Sequence, residues 1–224
     1  MVLMLGSVMD KAYHGGASVA NPSDAALGLD LSSKRLFDIA VSLVFIVLFS
    51  WVILLAALAV KLETRGPAFF RQTRTGHNGR LFRIWKLRTM TVCEDGGDIE
   101  QATRDDERVT FVGKFLRCTS VDELPQLLNV LNGDMSLVGP RPHACAHDRE
   151  FSTQVRNYAD RFAVRPGITG LAQVAGFRGE TKTAAQIRAR VRADRIYIEN
   201  RSFGFDLLIL LRTVFVVIWG RNAY

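Results

Sequence analysis

From Ile39 to Val60 the chain reads IAVSLVFIVLFSWVILLAALAV, with no charged side chain and only Ser42 and Ser50 polar. As a helix these roughly 22 residues rise about 33 Å, enough to cross the hydrocarbon core of a bilayer. A core helix of a soluble protein keeps a polar stripe at this length, and none is visible, so a membrane-associated helix is the favoured reading. The two serine hydroxyls are expected to bond back to the helix backbone. Lys34 and Arg35 precede the run, and Lys61, Arg65, Arg71 and Arg74 follow it. Basic flanks on both sides give no orientation by the positive-inside rule. Two topologies stay open: a helix that enters and returns on one face, and one that spans.

The rest of the chain is that of a globular domain. Residues 1–32 are rich in Gly, Ala and Ser and read as a mobile tail. The leading MVLMLG is too short and lacks the basic start of a signal peptide. Residues 33–62 are expected to form the membrane helix, and 63–224 the domain that would carry any chemistry. Gly66-Pro67 breaks the first helix, and Gly76 to Gly79 marks a turn between two aromatic and basic segments, predicting a β-hairpin. Residues 93–107 are acidic and read as a mobile loop. Helical patterns recur over Phe111–Arg117, Asp122–Leu131, His147–Arg161 and Thr183–Asn200. The last apolar segment, FDLLILLRTVFVVIWG, is interrupted by Asp206 and Arg212; an amphipathic helix lying in the headgroups fits it better than a span, with a core helix as the alternative.

A formal net charge of +7 suits nucleic acid, an anionic membrane surface or phosphorylated substrates. Cys93, Cys118 and Cys145 form no CxxC and leave an odd thiol, which argues against a disulfide framework and for the cytoplasmic side of a membrane. His143, Cys145 and His147 would need a strand and a fourth ligand to hold a metal, and no fourth ligand stands out.

The chemistry concentrates in Thr119–Pro142, TSVDELPQLLNVLNGDMSLVGPRP. Asp122 and Glu123 are adjacent, so on a helix they point about 100° apart and suit different tasks. One can attack or bind a reacting phosphorus while the other holds a divalent cation such as Mg²⁺. The bland alternative is a capping box, Ser120 to Glu123, whose acids favour the helix dipole. Arg141 lies between Pro140 and Pro142, which limit the backbone on both sides of a phosphate-binding fork. Arg117, Lys86 and Arg88 could add cations. The loop RPGITG, with Arg165, Pro166, Gly167 and Gly170, either presents N–H groups to a phosphate or base, or is a plain turn. No GxxxxGK[ST] is present, so phosphoryl transfer here would not use a P-loop.

From about Lys34 to Tyr224 the chain resembles the bacterial sugar transferases, the monotopic polyprenyl-phosphate phosphoglycosyl transferases. The resemblance rests on KRLFD at 34–38, GPAFFRQTRTGHNGRLFRIWKLRTM at 66–90, TSVDELPQLLNVLNGDMSLVGPRP at 119–142, RPGITGLAQVAG at 165–176 and YIENRSFGFDLLILLRTV at 197–214, in that order. PRPHACAHD, GFRGET and the terminal NAY are most similar to undecaprenyl-phosphate glucose phosphotransferases that prime exopolysaccharides. The resemblance implies an α+β monotopic membrane protein with one N-terminal, re-entrant membrane helix, interfacial amphipathic helices and a small hairpin-containing catalytic domain. It implies that Asp122 attacks the sugar-bearing phosphate of a UDP-sugar, releases UMP, and passes the phosphosugar to undecaprenyl phosphate. Glu123 matches the carboxylate associated with Mg²⁺, and Arg117, Arg141 and Lys86 match basic residues of the same site. The expected setting is the cytoplasmic face of the bacterial inner membrane, among its lipids, with no nucleic-acid partner and with homo-oligomerisation left open.

Three features depart from the family pattern: Ser50-Trp51 where many members carry Ser-Pro, Arg201-Ser202 where Trp-Ser is usual, and a chain that reads as the catalytic module alone. Two other functions fit the chain less well. A catalytically silent membrane scaffold would not need the Asp-Glu pair, and a nucleic-acid binder would cluster cations that are here mixed with acids.

Overall fold

Helix α1 runs unbroken from Asp24 to Glu63, 40 residues and so about 60 Å long. The computed structural model describes residues 24–91, 101–103, 106–177, 179, 181 and 183–219. The helix therefore begins inside the stretch expected to be a tail, most of which, like most of the acidic loop 93–107, lies outside the described residues. The helix is continuous through Ser50-Trp51, where Trp51 keeps the N–H that a proline would remove. Ser50 Oγ donates to the Val47 carbonyl at 2.9 Å as expected. Ser42 does not bond back: its hydroxyl is buried against the domain without a partner.

Within α1, Ser33–Glu63 is, among the described residues, the one helix long and apolar enough to cross a membrane, with only 11% of its most apolar window buried. That low burial excludes the reading as a soluble core helix, which would be enclosed. Its inner face nevertheless rests on the domain: Phe37, Val41 and Ile46 pack against the main core, and Ala56 and Val60 against Leu87 and Leu116. Its outer face, including Val47, Leu48, Trp51, Leu54 and Leu58, is exposed and apolar.

Both flanks of the apolar run are fastened to the same globular body. At the start, Lys34 pairs with Asp206, and Arg35 donates to the carbonyls of Val130 at 2.7 Å and Leu131 at 3.0 Å. At the end, Arg88 donates to the carbonyls of Thr64 at 3.0 Å and Arg65 at 2.7 Å. A guanidinium there satisfies carbonyls that a helix terminus leaves orphaned and complements its negative end.

The predicted hairpin is present. Strands β1 (Phe69–Thr75) and β2 (Leu81–Leu87) pair antiparallel, from Phe69 opposite Leu87 to Thr75 opposite Leu81. Asn78 (φ 54°) and Gly79 (φ 75°) turn the chain in the left-handed region that these two residues tolerate. The Arg71 guanidinium lies 3.5 Å over the Trp85 ring on the hairpin surface.

After the acidic loop come α2 (Phe111–Thr119), a 3₁₀ turn (Val121–Gln126), α3 (Leu127–Asn132) and β3 (Ser136–Val138). Helix α4 (Cys145–Gln154) and a second 3₁₀ turn (Tyr158–Ala163) replace the single helix expected over His147–Arg161. Asn157, at φ 62°, makes the break. Strand β4 (Gly167–Thr169) pairs parallel with β3 and leads through α5 (Leu171–Val174) to α6 (Ala184–Asn200) and α7 (Phe203–Trp219). Thr183 and Gln186 close a capping box at the start of α6.

The β3–β4 contact depends on glycine. A Cβ on Gly167 would sit 2.1 Å from the Gly139 nitrogen, and one on Gly139 would sit 2.4 Å from the Arg165 carbonyl oxygen. Around this contact Met135, Val138, Leu171, Ala193, Tyr197 and Ile209 form the main core. Helix α7 buries Ile209 and Asp206 and exposes Leu207, Leu211, Val214 and Phe215, the amphipathic arrangement expected for an interfacial helix.

Candidate active site

Helix α2 stops because Ser120 turns left-handed at φ 60°, and its N–H returns to the Arg117 and Leu116 carbonyls. Ser120 makes no side-chain cap bond to the 3₁₀ turn that follows, so the alternative of a capping box is not formed. The acids are thus not explained as helix caps. Asp122 and Glu123 are both buried, at 6% and 8% exposure, and the turn sets them beside Lys86 on β2 and Arg141 on the proline-bounded loop.

The two carboxylates live differently. Glu123 Oε1 accepts from Lys86 Nζ at 2.9 Å and from Arg141, whose other nitrogen reaches Oε2 at 3.2 Å. This is the paired geometry that planar guanidinium favours. Asp122 has no hydrogen-bond partner among the described residues. Burial pushes its carboxyl up to about 6; Lys86 opposes that, Glu123 adds to it, and Arg117 and Arg141 oppose it. Burial lowers the Lys86 ammonium, against the pull of Glu123, while Glu123 raises the Arg141 guanidinium. Lys86, Arg117 and Arg141 bring three cations to two carboxylates, an imbalance that an anionic ligand would redress.

Arg141 is fixed from behind by a layer that the sequence reading missed. Arg161 Nη2 donates to the Arg141 carbonyl at 2.7 Å and to Asp194 at 2.9 Å, and its Nε also reaches Asp194 at 3.2 Å. Arg161 Nη1 donates to the Tyr158 hydroxyl at 2.8 Å and to His143 Nδ1 at 2.6 Å, and Tyr158 donates to Asp148 at 2.6 Å. Arg74 holds the next carbonyl, that of Pro142, at 3.2 Å. Burial, then Arg161, hold the His143 imidazole well below its ordinary range, so it is neutral. One sequence signal could have flagged this layer. Arg190 and Asp194 fall on the buried face of α6 with Ile187 and Val191, where charges are anomalous.

The remaining candidates are placed as follows. The Pro140 carbonyl accepts from Gly167 N at 3.0 Å, and the Pro166 carbonyl from Ser136 N at 2.9 Å. The Gly167 N–H is therefore spent within the fold, and Gly170, whose added Cβ would lie 2.2 Å from the Gly139 oxygen, is a close-packing residue. Arg165 donates through Nε to the Gly133 carbonyl at 2.9 Å. Arg88 is committed to the end of α1. Cys145 Sγ faces the Thr73 carbonyl at 3.6 Å, and among the described residues no three His, Cys, Asp or Glu side chains gather as a metal site.

Residues 29–220 match the family described as Bacterial sugar transferase. The chain is 56% identical over 191 residues to a UDP-glucose:undecaprenyl-phosphate glucose-1-phosphate transferase of Caulobacter vibrioides, covering 85% of this chain and 72% of that protein. A protein of the same name from Klebsiella pneumoniae is 48% identical over 88% of this chain, which spans only 42% of that longer relative. The exopolysaccharide production protein PSS of Rhizobium leguminosarum is 44% identical over 83% of this chain and 95% of its own.

Proposed function

The chain belongs to the bacterial sugar transferase family, and from that premise we propose that it transfers hexose 1-phosphate, with glucose the first choice, from a UDP-sugar to undecaprenyl phosphate. The observation that carries the reading is the asymmetry of the carboxylates: Glu123 is held by Lys86 and Arg141, while Asp122 beside it is buried and unbonded. At about 6, the Asp122 carboxyl is largely ionised at neutral pH, yet it is freed from the hydrogen bonds that would blunt a nucleophile.

In the first step an Asp122 oxygen attacks the sugar-bearing phosphorus. The bond from that phosphorus to the bridging oxygen breaks, and UMP leaves with the electron pair. In the second step a phosphate oxygen of undecaprenyl phosphate attacks the same phosphorus and Asp122 leaves as carboxylate. The products are a polyprenyl diphosphate sugar and the starting enzyme. Lys86, Arg117 and Arg141 stabilise the charge that develops on the phosphoryl oxygens. Arg141 can exchange a Glu123 oxygen for a phosphate oxygen at small cost, because each offers two oxygens to its planar fork. Glu123 would hold Mg²⁺, with substrate phosphates completing its shell. It would supply charge neutralisation at the diphosphate.

We place the protein on one leaflet, at the cytoplasmic face of the inner membrane. Support comes from α1, whose two flanks are bonded to the same body while its outer face is apolar. Held along the body in this way, α1 would lie in one leaflet instead of crossing. The test is UMP release by detergent-purified protein given UDP-glucose, Mg²⁺ and undecaprenyl phosphate. Release that requires Asp122 supports the reading. No release with any UDP-hexose would sink it in favour of a silent scaffold.

A further inference from the structure

At the end of the hairpin remote from Lys86 lies a second charged cavity of about 210 Å³. Its walls come from the start of α1 (Lys34, Arg35, Asp38), the junction of α6 and α7 (Arg201, Ser202, Asp206), Arg165 and the hairpin turn at His77. From Leu81, beside that turn, to Lys86 the strand advances roughly 17 Å, so the cavity is not part of the carboxylate site.

Its two acids are already satisfied. Asp206 accepts from Lys34 and from the Tyr197 hydroxyl at 2.8 Å, and Asp38 accepts from Ser136 Oγ at 2.8 Å and Leu137 N at 3.3 Å. Arg35 is spent on the α3 carbonyls. Two guanidinium groups are left with donors to offer. Arg165 uses only its Nε, and Arg201 makes no hydrogen bond or ion pair among the described residues. The Ser202 end of α7 adds the positive pole of a 17-residue helix, with Ser202 Oγ taking the Phe205 N–H at 3.2 Å.

The position of the cavity narrows the ligand. The apolar run of α1 starts at Ile39, one residue beyond Asp38 on its wall, and Leu36 is 70% exposed at the rim. The apolar face of α7 starts at Leu207, one residue beyond Asp206, and continues through Leu211 at 55% exposure. Two greasy helix faces thus begin at one basic pocket. A molecule whose tail lay along either face would put its head in the pocket.

We propose that this cavity binds a phosphate group carried on an apolar tail, with Arg165 and Arg201 as its ligands. The site rests on the membrane association of the chain and not on the transfer chemistry, so the two can fail separately.

The test is a titration of detergent-purified full-length protein with four probes: dioctanoyl phosphatidylglycerol, farnesyl phosphate, dioctanoyl phosphatidylcholine and inorganic phosphate. Binding is read as a saturating rise in thermal midpoint and as retained mass in native mass spectrometry. The expected result is saturable binding of phosphatidylglycerol, farnesyl phosphate or both. The probe that loses more affinity in Arg165→Gln with Arg201→Gln identifies the source as a bilayer phospholipid or a polyprenyl phosphate, since farnesyl phosphate also has the carboxylate site open to it. Arg165→Gln with Arg201→Gln should weaken it at least tenfold, and Arg201→Gln alone, a partly exposed position, about threefold. Equal binding of phosphatidylcholine, equal protection by inorganic phosphate, or unchanged affinity in Arg201→Gln would each overturn the proposal.

Discussion

The two faces of the Gly139–Pro142 loop carry the same kinds of side chain and reach opposite states. On the far face, Arg161, Asp194, Tyr158 and Asp148 form a network in which each nitrogen of Arg161 has an acceptor, although Asp148 Oδ2 is buried without a partner. On the near face, three cations meet two carboxylates, and one carboxylate has no hydrogen bond. Buried polar groups are ordinarily satisfied, and an unsatisfied one costs stability. The far face spends every nitrogen of Arg161 and so fixes a backbone. The near face leaves Asp122, the proposed nucleophile, without a hydrogen bond among the described residues.

The strongest way to break this contrast is Asp122→Asn, which keeps the shape and removes the nucleophile. UMP release should fall by about a thousandfold or more. Stability should move the other way. Because the folded carboxyl titrates at about 6, above its ordinary value, its ionised form is disfavoured by folding and weakens the native state as pH rises through that range. The variant should therefore melt no lower than wild type at pH 8, by differential scanning fluorimetry. A lower midpoint would mean that Asp122 is a structural acid.

The far face predicts the reverse pattern. Asp194→Asn leaves buried Arg161 with only its longer ion pair, to Asp148 at 3.8 Å, and should cost about 3 kcal/mol of stability. Arg161→Lys keeps the charge but cannot reach Asp194, Tyr158 and the Arg141 carbonyl together. It should lower the rate about tenfold, and less than twofold when Arg141 is already Ala, since coupled residues are not additive. Additive losses in this cycle would make the far layer general scaffolding with no particular hold on Arg141.

The contrast is sharpened by pH. Asp122 must be ionised to attack, so the rate should fall about tenfold per unit below about 6 and level off above it. A cation held by Glu123, beside Asp122, favours the ionised form. Raising Mg²⁺ from limiting to saturating should accordingly shift the acid limb to lower pH.

The near face was legible because it is local: Asp122 and Glu123 are sequence neighbours, and Arg141 is marked by the prolines beside it. The hairpin was legible for the same reason, through Gly76 to Gly79. The far face was not, because Arg161 and Asp194 lie on different elements and meet only when α6 packs against the second 3₁₀ turn. The break at Asn157 was missed as well, since a single left-handed residue leaves no trace in helical periodicity. The apolar run told that α1 meets a membrane, but not that its inner face would rest on the domain. That depends on Leu87 and Leu116, which come later in the chain.

Arg88 shows how the same residue type misleads when context is tertiary. As a cation two residues from Lys86 it reads as a phosphate ligand, yet it closes the last turn of α1 through the Thr64 and Arg65 carbonyls. Its neighbour in space is Gly66, at φ 117°, where an added Cβ would meet the guanidinium at 3.1 Å. Arg88→Met keeps much of the volume and leaves two helix-end carbonyls without donors, a loss of about 1–3 kcal/mol. KM for the UDP-sugar should stay within twofold of wild type while the thermal midpoint falls. A tenfold rise in KM with an unchanged midpoint would return Arg88 to the near face. It would also show that clasping the membrane helix and holding the substrate are not separate tasks of this fold.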